Sequence, residues 1–211
     1  MRGAFVAVEG PDGVGKTTLV GRLAGRLQEA GVDGVVVREP GGTPVAEAAR
    51  KVAFAPELEA SPLAELFLVL AARADLVAKV IRPALADGKL VLTDRYELST
   101  FAYQVAGRQL PREEVVAANA LATGGLRPHL TLVLDAPAAV GLGRQREQRK
   151  VRDRMEREES ELHDRVSRFY AELSDPTIVH LDGTRSADLV AADAWSVLHA
   201  RLRETFVCMQ G

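Results

Sequence analysis

The chain has 211 residues, 47% of them hydrophobic and 27% charged, an ordinary globular make-up of a size that suits one domain. A formal net charge of −2 leaves no overall electrostatic footprint for nucleic acid or an anionic membrane, and 5% aromatics argue against a base-stacking surface. The single cysteine, Cys208, excludes a disulfide framework within the chain and fits a reducing compartment, with terminal packing as its plain role.

The first apolar run, AFVAV at 4–8, reads as a strand and ends at Glu9, too short for a secretory signal. A helical pattern follows over 17–30, then a second strand, GVVVR, at 34–38. A long helix over 61–86 contains the apolar run 66–72, which stops at Arg73 and is far short of a membrane span. Asp87-Gly88 closes that helix. Strands at 89–94, 129–135 and 177–182 then alternate with helices at 111–123, 137–173 and 187–204. The strands are almost continuously hydrophobic, as parallel strands covered on both faces are, so the expectation is α/β with a five-stranded parallel sheet and helices on both faces. A cytoplasmic chain without membrane or nucleic-acid partners is expected. Segment 144–158 is Arg-rich with only Val151 and Met155 apolar, and by itself reads as a solvated helix face.

Between the first strand and first helix stands EGPDGVGKTT, which satisfies Gly10-x-x-x-x-Gly15-Lys16-Thr17, the P-loop pattern. Its glycines let the backbone curl so that the N–H groups of residues such as Gly13, Val14 and Thr18 point at phosphate oxygens, and the helix dipole favours the anion. Lys16 can reach the β- and γ-phosphates, and Thr17 offers a hydroxyl to Mg²⁺. ATP binding in a P-loop NTPase fold is therefore expected. The guanine-reading Asn-Lys-x-Asp of GTPases is absent, and the chain is short for a motor. A nucleoside or nucleotide kinase fits best.

Three features lie where open α/β sheets bind ligands: REPGGT at 38–43, DRYELSTFAYQ at 94–104, and Arg73 on the helix between. Arginines so placed suit an acceptor that already carries a phosphate, because guanidinium binds phosphate bidentately and never loses its charge. Such an acceptor is ionised near pH 7 and needs no general base, so positioning and charge can carry the chemistry. Taken singly, Arg38 or Arg73 could equally be a surface salt-bridge partner, and Arg95 a structural partner of Asp94.

Together EGPDGVGKTT, REPGGT, DRYELSTFAYQ and the Arg-rich segment ending DRME resemble, in order and spacing, bacterial thymidylate kinases over essentially the whole chain. The resemblance implies one kinase domain over 1–211, a lid at about 144–158, and transfer of the ATP γ-phosphate to dTMP with Mg²⁺. It also implies a homodimer, with helix 61–86 as the interface element. By the same resemblance Asp12 approaches the sugar 3′-hydroxyl, and Arg38 and Arg95 hold the acceptor phosphate. Asp94 stands beside the metal, and Arg73, Thr100 and Gln104 face the base. Tyr103 crowds the sugar 2′ position, and Pro40 follows a cis peptide that aims Arg38.

Some members of the family carry a catalytic arginine in the P-loop; here that position is Gly13, so the lid must supply it, from Arg149 or Arg154 with Arg146 and Arg152 as competitors. Where the family stacks a phenylalanine on thymine this chain has Val69, and Phe67 reads as core. Val69, and Ala72 in place of a polar residue, leave open a related monophosphate kinase with altered base preference. A non-catalytic P-loop binding module is the other alternative; the joint presence of Asp12, Lys16, Arg38, Asp94 and Arg95 speaks against it.

Overall fold

The computed structural model describes residues 3–147 and 160–202. Its five strands are β1 (Ala4–Glu9), β2 (Gly34–Arg38), β3 (Leu90–Asp94), β4 (Leu130–Asp135) and β5 (Ile178–Asp182), each within a residue of the sequence expectation. All pair in parallel in the order β2-β3-β1-β4-β5, so the α/β class and the five-stranded parallel sheet are as expected.

The pleat sorts the side chains. Ala4, Val6 and Val8 of β1 point to a core shared with α1 (Lys16–Glu29) and α9 (Ala187–Leu202), through Leu19, Leu23, Leu27, Ala194 and Leu198. Phe5 and Ala7 point the other way, against Leu76, Val77, Ile81 and Leu85 of the long helix. On that same side α8 (Ser160–Ala171) packs Leu162, Val166 and Tyr170 against Val133. The central strand is thus buried on both faces, which puts the ends of β1 and β3 at the middle of the sheet's carboxyl edge.

The long helix is not uniform. It runs as α3 (Pro62–Leu76), a π-helical turn over Val77–Ile81, and α4 (Arg82–Ala86). Pro83 explains the break: it lacks an N–H, and its ring would collide with the carbonyl four residues back, which lies inside the widened turn. Phe67 corrects the sequence reading, for it is 57% exposed on α3 rather than in the core.

Two helical stretches stand where no helix was expected. After REPGGT comes α2 (Pro44–Phe54), whose N-cap Thr43 accepts from the Ala46 N–H at 3.1 Å, with Pro44 opening the helix. After β3 the chain forms α5 (Glu97–Thr100), continued by a π-helical segment Phe101–Gly107. The remaining helices are α6 (Arg112–Thr123), closed by Gly124 at φ +59°, and α7 (Ala138–Glu147).

Candidate active site

The loop from β1 to α1 bends through Gly10, Gly13 and Gly15 at φ +139°, +73° and +109°, conformations that a β-carbon disfavours. The buried Lys16 donates its Nζ to the carbonyl of Pro11 at 2.5 Å, folded back into the loop. Burial, then the neighbouring Arg95, pushes the Lys16 ammonium down to about 7, a deficit that phosphate oxygens would reverse. Val14 sits in the core beneath the loop, so only its backbone can serve a nucleotide. The carbonyl of Val14 accepts from Arg144 of α7 at 2.9 Å, and the same guanidinium reaches the Gly183 carbonyl at 2.8 Å.

Across the sheet edge, Thr17 donates its hydroxyl to Asp94 Oδ2 at 2.6 Å. Two hard oxygen donors thus meet beside the phosphate loop, a donor set that fits Mg²⁺, which takes few protein ligands and completes its shell with water and phosphate.

Arg95 follows Asp94 with φ +72°, in the left-handed region. Its guanidinium pairs with Asp12 and donates to Ser99 Oγ at 3.0 Å and to the Gly10 carbonyl at 3.3 Å. It lies over the Tyr103 ring, 5.3 Å from the centroid. The partner of Arg95 is therefore Asp12, across the cleft, and not the adjacent Asp94. Burial raises the Asp12 carboxyl, but Arg95 and then Lys16 outweigh it and hold the group below the usual aspartate value. Arg38, at the end of β2, donates Nη2 to both carboxylate oxygens of Glu47 of α2 at 2.8 and 2.9 Å, and Gly42 N–H donates to the same carboxylate at 2.9 Å. The Glu39–Pro40 peptide between them is cis, as expected.

Arg73 is no surface residue; its side chain is 1% exposed. Nε donates to Glu39 at 2.6 Å, Nη1 to Thr100 Oγ1 at 2.7 Å and Asn119 Oδ1 at 2.8 Å, and Nη2 to the Tyr96 carbonyl at 2.8 Å. One guanidinium therefore ties together the end of β2, the segment after β3, and α6. Burial, against the pull of Arg73, pushes the Glu39 carboxyl up to about 7. Gln104 donates its amide to the buried Glu65 of α3 at 2.8 Å. Because a carboxylate only accepts, that bond leaves the Gln104 carbonyl oxygen as the acceptor offered to a ligand.

These groups share a cleft of about 370 Å³. Of the residues expected from the sequence, Asp12, Gly13, Gly15, Lys16, Thr17, Thr18, Arg38, Pro40, Val69, Arg73, Asp94, Arg95, Thr100, Tyr103 and Gln104 all line it. Gly10 does not, contributing only its carbonyl to Arg95. Arg149, Arg152 and Arg154, and Cys208, lie outside the described residues. The cleft also takes Glu39, Ser99, and Arg50 and Phe54 of α2, none of which sequence reasoning singled out. The signal for the last two was present in Thr43-Pro44, a helix cap followed by a favoured first residue.

A phosphate loop facing an arginine-lined acceptor pocket across one parallel-sheet edge defines a P-loop phosphotransferase. The family model for thymidylate kinase matches residues 8–194. A thymidylate kinase of Deinococcus radiodurans is 43% identical over 203 residues, covering 95% of this chain and 98% of the relative. Thymidylate kinases of Pseudomonas fluorescens (strain Pf0-1) and Pseudomonas putida (strain GB-1) are each 52% identical over 145 residues, or 68% of this chain and 69% of theirs. The chain belongs to the thymidylate kinase family.

Proposed function

We propose that the chain transfers the γ-phosphoryl group of ATP to dTMP, giving dTDP and ADP. The observation that carries this reading is the pairing of Arg95 with Asp12, which joins the acceptor-side arginine to the phosphate loop within one cleft. An oxygen of the dTMP phosphate forms a bond to the γ-phosphorus as the bond from that phosphorus to the bridging oxygen of ADP breaks. The acceptor is already ionised, so no base is required of the chain. Lys16 draws the donor phosphates into the loop. Arg95 and Arg38 exchange their carboxylate partners for the acceptor phosphate and offset the repulsion between two anions. Thr17 and Asp94 would hold Mg²⁺, which neutralises charge on the donor phosphates when bound.

On the base side, the free carbonyl of Gln104 suits the N3–H of thymine, and Arg73 fixes Thr100 beside it. Asp12 and Tyr103 stand where the deoxyribose would lie. The lid, about 144–158, supplies Arg149 or Arg154 to the transferring group. We read 1–211 as a single kinase domain, cytoplasmic in view of its single cysteine. Membership of the family favours neither an altered base preference nor a silent binding module. The direct test is turnover of a panel of monophosphates with ATP and Mg²⁺. Preference for dTMP is expected, and comparable rates with dCMP, UMP or GMP would sink the substrate assignment.

A further inference from the structure

Glu9 has no part in the chemistry above, yet it is fully buried at the end of β1, one residue before the phosphate loop. Its Oε1 accepts the backbone N–H groups of Tyr96 at 2.7 Å and Ser99 at 3.1 Å. Its Oε2 accepts the hydroxyls of Ser99 at 2.6 Å and Tyr170 at 2.9 Å. Three of these four donors belong to the turn that follows Arg95. The fourth comes from α8, and the Tyr170 and Ser99 oxygens are themselves 3.1 Å apart.

Arg95 sits in a conformation that residues with a β-carbon rarely adopt, and such a backbone persists only when its surroundings over-determine it. On its N-terminal side its N–H donates to the Val8 carbonyl at 2.9 Å. On its C-terminal side the Arg95–Tyr96 peptide is held from both edges: its carbonyl accepts the Thr93 hydroxyl at 2.8 Å, and its N–H, that of Tyr96, goes to Glu9. Ser99, held by the other half of the carboxylate, receives the Arg95 guanidinium at 3.0 Å. Glu9 therefore grips both the backbone that leaves Arg95 and the hydroxyl against which its side chain rests.

We propose that Glu9 is the positioning residue for the acceptor-phosphate arginine, locking Arg95 to the strand that carries the phosphate loop so that donor and acceptor sites keep one geometry. The inference rests on the proposed dTMP kinase reading and adds a residue to it. The plainer alternative is that Glu9 only satisfies buried N–H groups; in that case its loss would weaken the whole cleft without regard to the phosphate.

The two differ in what they do to dTMP against thymidine, which lacks the phosphate that Arg95 holds. Wild type, Glu9→Ala, Glu9→Gln and Tyr170→Phe would be compared, with folding followed by circular dichroism, ATP affinity by titration, and dTMP and thymidine by competition. For Glu9→Ala we expect kcat to fall about a hundredfold and dTMP affinity to fall at least about tenfold more than thymidine affinity. ATP affinity should stay within about threefold. Glu9→Gln keeps the shape and both backbone bonds, so it should recover most of the loss. Should Glu9→Ala fail to fold, Tyr170→Phe removes one of the four bonds and should shift the dTMP-to-thymidine ratio the same way by about threefold. Equal losses for both ligands, or no loss, would overturn the proposal. A wild type that turns over no dTMP is a separate outcome, which removes the parent reading and this inference with it.

Discussion

A β-carbon on Gly13 would stand 2.2 Å from the carbonyl oxygen of Gly141, and one on Gly141 would stand 1.9 Å from that of Asp12. The phosphate loop and α7 thus meet backbone to backbone, and Arg144 of the same helix clamps Val14 and Gly183. Gly13 also has φ +73°, so an arginine there would meet both strain and a clash. This contact is the physical reason why an arginine has no room at the Gly13 position of the loop. Gly141→Ala should push α7 off the loop and lower ATP affinity about tenfold at intact fold, as seen by nucleotide titration. Unchanged affinity would mean that α7 shifts aside freely.

Arg95 and Asp12 define the second expectation. Removing a preorganised donor aimed at a developing or transferred anion typically costs about a hundred- to a thousandfold in kcat. Arg95→Ala should fall in that range, while ATP affinity, which rests on the loop backbone and Lys16, changes by less than about threefold. Steady-state kinetics with dTMP, paired with ATP titration, checks both halves. Full turnover in the variant would reject an acceptor-phosphate role.

The base pocket gives a third. Val69 lines the cleft without an aromatic face, and Phe54 of α2 lines the same cleft, with the Arg50 guanidinium 5.3 Å from its ring centroid. Stacking on a base is worth ~1–3 kcal/mol, about five- to 150-fold in affinity. Phe54→Ala should therefore raise the KM for dTMP by an amount in that range, with a smaller change in kcat. Val69→Phe in that background should recover part of it. If Phe54→Ala leaves KM alone, the base stacks elsewhere.

What the sequence made legible follows from which signals are local. The five strands announced themselves because parallel strands buried on both faces are apolar runs, and Gly10, Lys16 and Thr17 were readable because a fixed spacing makes the phosphate cradle. Arg38, Asp94 and Arg95 could be placed because they sit directly at strand ends. Arg73 is legible as a site residue, but its buried network is not, since its four acceptors come from three separate stretches of chain. Phe54 and Arg50 escaped because α2 buries only two small side chains, Ala46 and Ala53, and so carries no large buried apolar residue to mark it. Glu9 escaped for a related reason: its partners lie 87 to 161 residues away.

The expected homodimer, with helix 61–86 as its interface element, can be tested at Phe67. Phe67 is 57% exposed and Leu63, one turn before it on α3, is 50% exposed, so the two form an apolar strip on the outer face of the helix. Phe67→Glu should convert a dimer to monomer in light scattering after size exclusion. A mass unchanged by the substitution would show that α3 is not the interface.

The buried pair of Arg73 and Glu39 sets the last expectation. Each side chain is 1% exposed and they meet at 2.6 Å. Breaking such a pair leaves a desolvated charge uncompensated, which costs ~3 kcal/mol or more even when other acceptors remain. Above about pH 7, where Glu39 is ionised, Glu39→Gln keeps the volume but removes the counter-charge, and a chain of this size should lose about 6–12 °C of Tm. The pair also holds Thr100 and Asn119 in place through Arg73 Nη1, so dTMP affinity should fall along with stability, whereas ATP affinity should not. Thermal unfolding with and without each ligand separates the two effects: ATP should still raise the Tm of the variant, and dTMP should raise it less than it does in the wild type. A variant stabilised by dTMP as fully as the wild type would show that Arg73 keeps its position without Glu39.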